Sequence, residues 1–361
     1  EFEVCNNLRT AKHVGDVNLT GTEGQIEEYV TIVEGEFGQC KVNKHEFTCV
    51  GVRHKKERNT GDVVLDKDEY IKSMRPIVSP ELTGAPPEKQ ATKGVADQFV
   101  SLRGALAYTT LTQAWLQVYI VSLQRVQEPT NLDVRRLNAI VRRLQRDPQK
   151  LIFPAMRCSG QIDLHSDSGY RRRTGEADDE IKGYGIRGMN LLRRGTTKDG
   201  KAVVHLLDSL CKSHRLQVRS SYGAEMLAAH GLDDAYPTLI TMHELKHGVL
   251  KPEQLKNIRE YGGIKITVTL TTDAESVYKS LTCKDIKVPT ENTLMGHVSW
   301  IREMMQKGIV DEAQWCVTRD MTADGHTKGC IDRKMLIDLM HGIQQFYHEV
   351  KTHKPFRGAQ Q

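Results

Sequence analysis

Four carboxylates stand where a folded chain would display chemistry. Asp167 closes the strand-like DLHSD, Glu225 lies inside the helix-like SSYGAEMLAA, Asp273 closes ITVTLTTD, and Asp324 sits in TADGHTK, where a strand hands over to a helix. Acids at strand ends and on an adjacent helix can converge on one point. Two divalent cations about 4 Å apart need such a cluster of hard oxygen ligands. The plain alternative is solvated surface charge, the usual fate of Asp and Glu. Asp163 precedes Asp167 on the same strand-like run and competes with it for the place of first ligand.

Other short motifs point elsewhere. HELKH at 243–247 has the H-E-x-x-H form, in which His243 and His247 would share a helix face and bind Zn²⁺ while Glu244 served as general base. Gly248 follows it at once and no third ligand stands out, so a zinc protease is a remote alternative. GYGIRG at 183–188 has the G-x-G-x-x-G form. The acidic EADDEIK precedes it instead of an apolar strand, and no helix opens on its last glycine, so a dinucleotide site is not supported. It reads as a second sheet strand with a bulge. The eight cysteines contain no C-x-x-C pair and are scattered, which argues for reduced thiols and against a zinc ribbon.

The elements that must carry the acids are legible from periodicity. QIDLHSDS, GYGIRGMNLL and AVVHLLDS read as three successive strands, followed by a helix from about 220 to 230, the apolar run YPTLITM and a helical region. GGIKITVTLTTD is the clearest strand. AESVYKSLT and TENTLMGHVSWIREMMQKG read as helices, EAQWCVTRD as a strand and DRKMLIDLMHGIQQF as a final helix. This order predicts an α/β fold with a mixed sheet flanked by helices.

Upstream, EEYVTIVEG, HEFTCVGVRHKKE and DVVLDKDEYI read as strands, with RNTGD as a hairpin turn. Residues 76–95, rich in Pro, Gly and Lys, read as a linker. Residues 96–127 are helix-like. A second helix starts near Asn131, with Leu137, Ile140, Val141 and Leu144 on one face and Arg135, Arg142 and Arg146 on another. That basic row is either a solvated face or a set of phosphate contacts.

A length of 361 residues suggests two domains, and a net charge of +5 permits a nucleic-acid partner without demanding one. The least charged long stretch, LTQAWLQVYIVSLQ, is too short and too polar to span a bilayer. The chain begins EFEVCNN, without Met or an apolar leader, and reads as a piece of a longer intracellular protein.

The wording around the acids resembles the C-terminal part of the Pol polyprotein of copia-type retrotransposons. HLLDSLCKSHRLQVRSSYGAEMLAA is similar to that family's stretch ending S-S-x-E-A-E-Y. TLTTDAESVYKSL is similar to its T-D-N-x-S-A segment, CVTRDMTADGHTKG to its V-x-T-x-x-x-x-A-D-x-x-T-K signature, and WIREMMQKGIV to the I-R-E helix before it. HSDSGYRR takes the place of its S-D-A-D-W. Upstream, CVGVRHKKERNTGDVVLDKDEYIKSM resembles F-L-G-I … L-x-Q-x-x-Y-I-x-x-I-L, and VSLRGALAYTTLTQAWLQVYIVSLQRVQEPT resembles Y-R-x-L-V-G-S-L-x-Y-L … L-S-R-x-x-x-x-P-T. The match runs in order along nearly the whole chain. TLTQ stands where the family has T-R-P-D, NTL where it has K-H-I, and Ser168 where it has an acid; all four carboxylates remain.

The resemblance implies a ribonuclease H-like domain over 155–345, a tail over 346–361, and a preceding small α+β region over 1–150. That region would be the end of a reverse transcriptase, thumb- or connection-like. The palm catalytic pair is absent, since Asp233-Asp234 in HGLDDAYP reads as a turn after a helix. The implied reaction is hydrolysis of the RNA strand of an RNA–DNA hybrid with two ions of Mg²⁺ (or Mn²⁺) held by Asp167, Glu225, Asp273 and Asp324. One ion would activate water and the other would stabilise the leaving 3′ oxygen, with Asp167 between them. Minor-groove contacts to 2′-hydroxyls would identify the RNA strand. Arg171, Arg172 and Arg173 are candidate phosphate contacts or a solvated basic turn. His326 would be either a mobile residue assisting product release or a surface histidine. The implied partners are the hybrid and the rest of the polyprotein. The second hypothesis is a non-catalytic nucleic-acid-binding remnant of the same fold.

Overall fold

The computed structural model describes all residues other than 1, 6–7, 14–15, 171–184, 215, 217, 256–265, 267, 285–291 and 356–361. Strands β1 (Phe2–Cys5), β2 (Leu8–His13) and β3 (Asp16–Thr20) pair in order as an antiparallel sheet. Helix α1 (Glu23–Phe37) follows, and it contains EEYVTIVEG, which the sequence suggested was a strand. Local hydrogen bonding decides against the β-branched residues there. Thr22 and Gln25 form a reciprocal capping box, Gly38 ends the helix at φ +88°, and no residue of α1 is buried.

Strands β4 (Glu46–Cys49), β5 (Val52–Lys56) and β6 (Val63–Asp66) form a second antiparallel sheet. The β4–β5 connection is Val50–Gly51, both at positive φ as a two-residue hairpin turn requires. RNTGD forms the expected turn before β6. The expected strand DVVLDKDEYI stops at Asp66, and its second half becomes helix α2 (Asp68–Ser73).

Residues 76–95 are not a free linker. They contain the short helix α3 (Glu81–Gly84) and lead into α4 (Lys93–Thr109); a 3₁₀ turn at Ala114–Leu116 and α5 (Gln117–Gln124) come next. The segment is strapped to helix α6 (Asn131–Arg146). Buried Asn138 exchanges two 2.8 Å hydrogen bonds with the backbone of Ile77, and the first-turn amides of α6 donate to Pro87 O and Lys89 O. Those amides have no partner within their own helix, which explains why an extended segment binds there. Val134, Leu137, Val141 and Leu144 are fully buried on the inner face of α6.

Strand β7 (Leu151–Phe153) completes the second sheet by pairing with β6. The main sheet begins with β8 (Arg157–Gly169), β9 (Ile186–Thr196) and β10 (Ala202–Ser213), an antiparallel meander. Helices α7 (Ser221–Ala229) and α8 (Gly231–His247) follow; α8 takes in both Asp233-Asp234 and YPTLITM, with Pro237 inside it. Strand β11 (Val268–Thr272) returns beside β8 and parallel to it. Helices α9 (Glu275–Thr282) and α10 (Leu294–Gln306) lead to β12 (Val310–Trp315), which is parallel to β11.

The last elements are α11 (Asp324–Thr327), α12 (Lys334–Met340) and β13 (Lys351–His353). The expected final helix ends early, at Gly342 with φ +79°. The expected tail over 346–361 instead supplies β13, which pairs antiparallel with β12. The six-stranded order is β10-β9-β8-β11-β12-β13.

Two cores flank this sheet. Ile162, Leu164, Met189, Leu191, Val268 and Leu270 pack on α7, α8, α9 and α10. On the other face Leu192, Val204 and Leu206 join Leu336, Leu339 and Met340 and run without a break into the core built by α2, α4, α5 and α6. Among the described residues no helix is long and apolar enough to cross a membrane.

Candidate metal centre

Alternation along β8 sets the site. Ile162 and Leu164 face the first core, so Asp163, His165 and Asp167 share the opposite face. Asp167 is 1% exposed. Asp273 directly follows β11, held by a 2.9 Å bond from the Trp315 indole to its carbonyl. Asp324 opens α11. One oxygen each from Asp167, Asp273 and Asp324 lies within 4.8 Å of the others.

Glycines let α11 reach the sheet. A Cβ on Gly188, which pairs with Asp167, would fall 2.7 Å from His326 Cβ and 2.9 Å from Ala323 O. One on Gly169 would fall 2.8 Å from Thr327 O. The last glycine of GYGIRG thus serves helix-to-strand approach, and the bulges of these strands lie elsewhere.

Glu225 stands outside the tight group of three but belongs to the same electrostatic unit. Ser220 caps α7, the Ser168 backbone lies near the Glu225 carboxylate, and Glu225 Oε2 is buried without a hydrogen-bond partner. Burial, then the charges of Asp167 and Asp273, push its pKa up to about 9. Burial, then Asp167, raise Asp324 to about 7. Asp167 is raised too, by burial first. Such a set holds protons or cations strongly.

Two residues that the sequence analysis did not single out touch the acids. The Thr327 hydroxyl donates to Asp167 Oδ2. The Lys328 ammonium sits 2.5 Å from Asp324 Oδ1 and 3.9 Å from Asp167 Oδ1. Burial alone would lower the Lys328 pKa; Asp167, Asp324 and Asp273 outweigh it and hold it raised. The only signal for either was the T-K that ends the family signature quoted above.

The other candidate residues divide. Asp163, fully buried, is paired with Arg194 and accepts from Gln161, so it lies outside the cluster. Arg135 turns inward to the carbonyls of Leu82 and Ala85, which corrects its place in a phosphate-binding row. Arg142 and Arg146 are exposed and line a shallow concavity with Ala139 and Gln145. Arg171, Arg172 and Arg173 lie outside the described residues.

His326 is neither mobile nor on the surface. It is fully buried, its Nε2 bonds Asn190 Oδ1 at 2.7 Å, and burial pulls its pKa down to about 3. Asn190 continues to Thr322 and Thr322 to His165, a buried polar chain beneath α11. In HELKH, Glu244 accepts from the Leu250 amide, and among the described residues no third metal-binding group joins His243 and His247. Asp234 pairs with Arg187 at 2.7 Å in the first turn of α8, a helix rather than the expected turn.

Three antiparallel strands, a helix pair, then two strands parallel to the first, in the order 3-2-1-4-5, decide the architecture. The fold is ribonuclease H-like. No protein-family profile matches the chain, and a search of curated proteins finds no match. Among solved structures, the chain is similar to the N-terminal RNase H domain of a Mycobacterium tuberculosis protein, at 15% identity over 46% of this chain and 90% of that one, TM-score 0.28. It is similar to RNase H1 of the halophilic archaeon Halobacterium salinarum at 16% identity over 44% and 83%, TM-score 0.23. A compost metagenome RNase H1, LC11, matches at 14% over 48% and 98%, TM-score 0.29.

Proposed function

We propose that the chain is a divalent-metal-dependent ribonuclease that hydrolyses the RNA strand of RNA–DNA hybrids, as the C-terminal part of a copia-type Pol polyprotein. The observation that carries this reading is the convergence of Asp167, Asp273 and Asp324 on one point. The donor set fits such an ion. Every ligand is a hard carboxylate oxygen, one buried Glu225 oxygen lacks a partner, and a lysine ammonium already rests among the acids. Asp167, Glu225, Asp273 and Asp324 would hold two ions of Mg²⁺ or Mn²⁺, which supply an activated water and neutralise charge at the leaving oxygen.

The chain's own residues set the geometry. Thr327 fixes the plane of the Asp167 carboxylate. Arg142 and Arg146, with the arginines at 171–173, are the proposed phosphate contacts. Residues 1–150 are proposed as the reverse transcriptase remainder that cradles the hybrid, and 155–345 as the nuclease domain, with β13 added to it from the segment beyond.

Purified chain with Mg²⁺ and a labelled RNA–DNA hybrid should cut the RNA strand only. Asp167→Asn should reduce cleavage to background while leaving the melting temperature of the protein near that of the unmodified chain. Cleavage that survives the substitution would overturn the metal assignment. Hybrid binding without cleavage by the unmodified chain would favour the non-catalytic remnant.

A further inference from the structure

Among the described residues Lys328 is the one member of the cluster with the opposite charge, and its placement is specific. Its ammonium is 2.5 Å from Asp324 Oδ1 and 3.9 Å from Asp167 Oδ1, and its side chain is 34% exposed. It sits at i+4 from Asp324, directly past the end of α11, where the helix's single turn brings it back to the carboxylate. A divalent ion bound to that same Asp324 oxygen would have to share it with the ammonium that now rests on it. The partial exposure gives the four-carbon stem an outward path.

We propose that Lys328 is a tethered counter-cation that competes with metal for Asp324 and weakens ion binding there. This rests on the metal reading of the site. Without metal, the ammonium offsets the repulsion among Asp167, Asp273 and Asp324, so the fold survives before loading. Metal entry then requires Lys328 to leave Asp324. The cost of that exchange falls on Asp324, while Asp273 and Glu225 have no close lysine contact of their own among the described residues. The ligand set is therefore asymmetric, with one side of the cluster open to an ion and the other guarded by a competitor.

The test is calorimetric titration of Mn²⁺ into the full chain without nucleic acid, comparing unmodified protein with Lys328→Gln, Lys328→Met and Lys328→Arg. Melting in a chelator is measured in parallel. Removing a unit charge next to a divalent ion should tighten Mn²⁺ binding on the order of tenfold in the Gln and Met variants. Both variants should also melt earlier in the chelator, and the gap should close when Mn²⁺ is added. The Arg variant keeps the charge and should bind Mn²⁺ as weakly as the unmodified chain. Equal or weaker Mn²⁺ binding by the folded Gln and Met variants overturns the inference while leaving the metal site in place. Absence of saturable binding in every variant overturns the metal reading and this inference together.

Discussion

At the residue scale, the site depends on side chains that are missing as much as on those present. Gly188 faces Asp167 across the β8–β9 pair and leaves the space that α11 occupies. Gly188→Ala should force α11 outward, because the nearest atoms include the Ala323 carbonyl, which cannot rotate away. We expect a loss of roughly 1–3 kcal/mol in chemical denaturation, with weaker Mn²⁺ binding as Asp324 retreats from Asp167. Unchanged values of both would refute the packing argument. Acid sensitivity is a second residue-scale consequence. His214 is buried, is hydrogen-bonded to Ser168 Oγ at 2.8 Å, and is pulled down to about 4 by burial, then by Arg187 and Arg125. An unfolded histidine titrates near about 6.5. Between those values the unfolded chain binds the extra proton, so stability falls as pH drops below about 6.5, by about 2 kcal/mol at pH 5 from this group. His214→Asn should therefore narrow the difference in melting temperature between pH 7.5 and pH 5. The gathering of Asp167, Asp273 and Asp324 was legible in the sequence, because each stands at the end of a strand or the start of a helix. The contacts of Gly188 and Thr327 were not, because they come from the approach of two segments more than a hundred residues apart in the chain.

At the element scale, periodicity located every strand of the meander and missed the sheet's last edge. KTH is too short to carry an alternating pattern, so β13 was invisible. The structure anchors it through its surroundings. Asp320 accepts from the amides of Tyr347 and His348, Phe346 stacks on His165, and Lys351 lies over the Trp315 ring. Ending the chain at residue 345 should remove all of these and leave the outer edge of β12 unpaired. The expected result is a destabilisation of about 2 kcal/mol or more. Hydrogen exchange should also quicken in β12, and normal protection there would show that the strand does not need its neighbour. Helix α1 failed in the opposite direction. Its β-branched residues suggested a strand, and a capping box that pattern counting does not weigh decided the outcome.

At the scale of the whole molecule, the linker reading of 76–95 concealed a shared interior. Composition marks Pro and Gly as flexible, yet the carbonyls of this segment serve α6, and the core beyond it is continuous with the main sheet. The ribonuclease H-like part is therefore not self-contained on that face. Residues 155–361 expressed alone should expose Leu192, Val204 and Leu206 together with Leu336 and Leu339. We expect aggregation or strong binding of a hydrophobic dye, relieved by co-expression with residues 1–153. A monomeric fragment with a sharp, cooperative melt would argue that α12 alone closes the face.

The central place of β8 has a consequence in time. A ribosome makes β9 and β10 directly after β8, so one side of β8 can pair at once. Its other partner, β11, emerges only after two helices have been synthesised, and Ile162 waits for Val268. Through that interval a long strand that carries Ile162 and Leu164 has an open parallel edge, the condition under which nascent chains mispair or recruit chaperones. The slowest point of biogenesis should therefore be the docking of β11, and ribosome-stalled chains ending just before residue 268 should be the ones that chaperones hold.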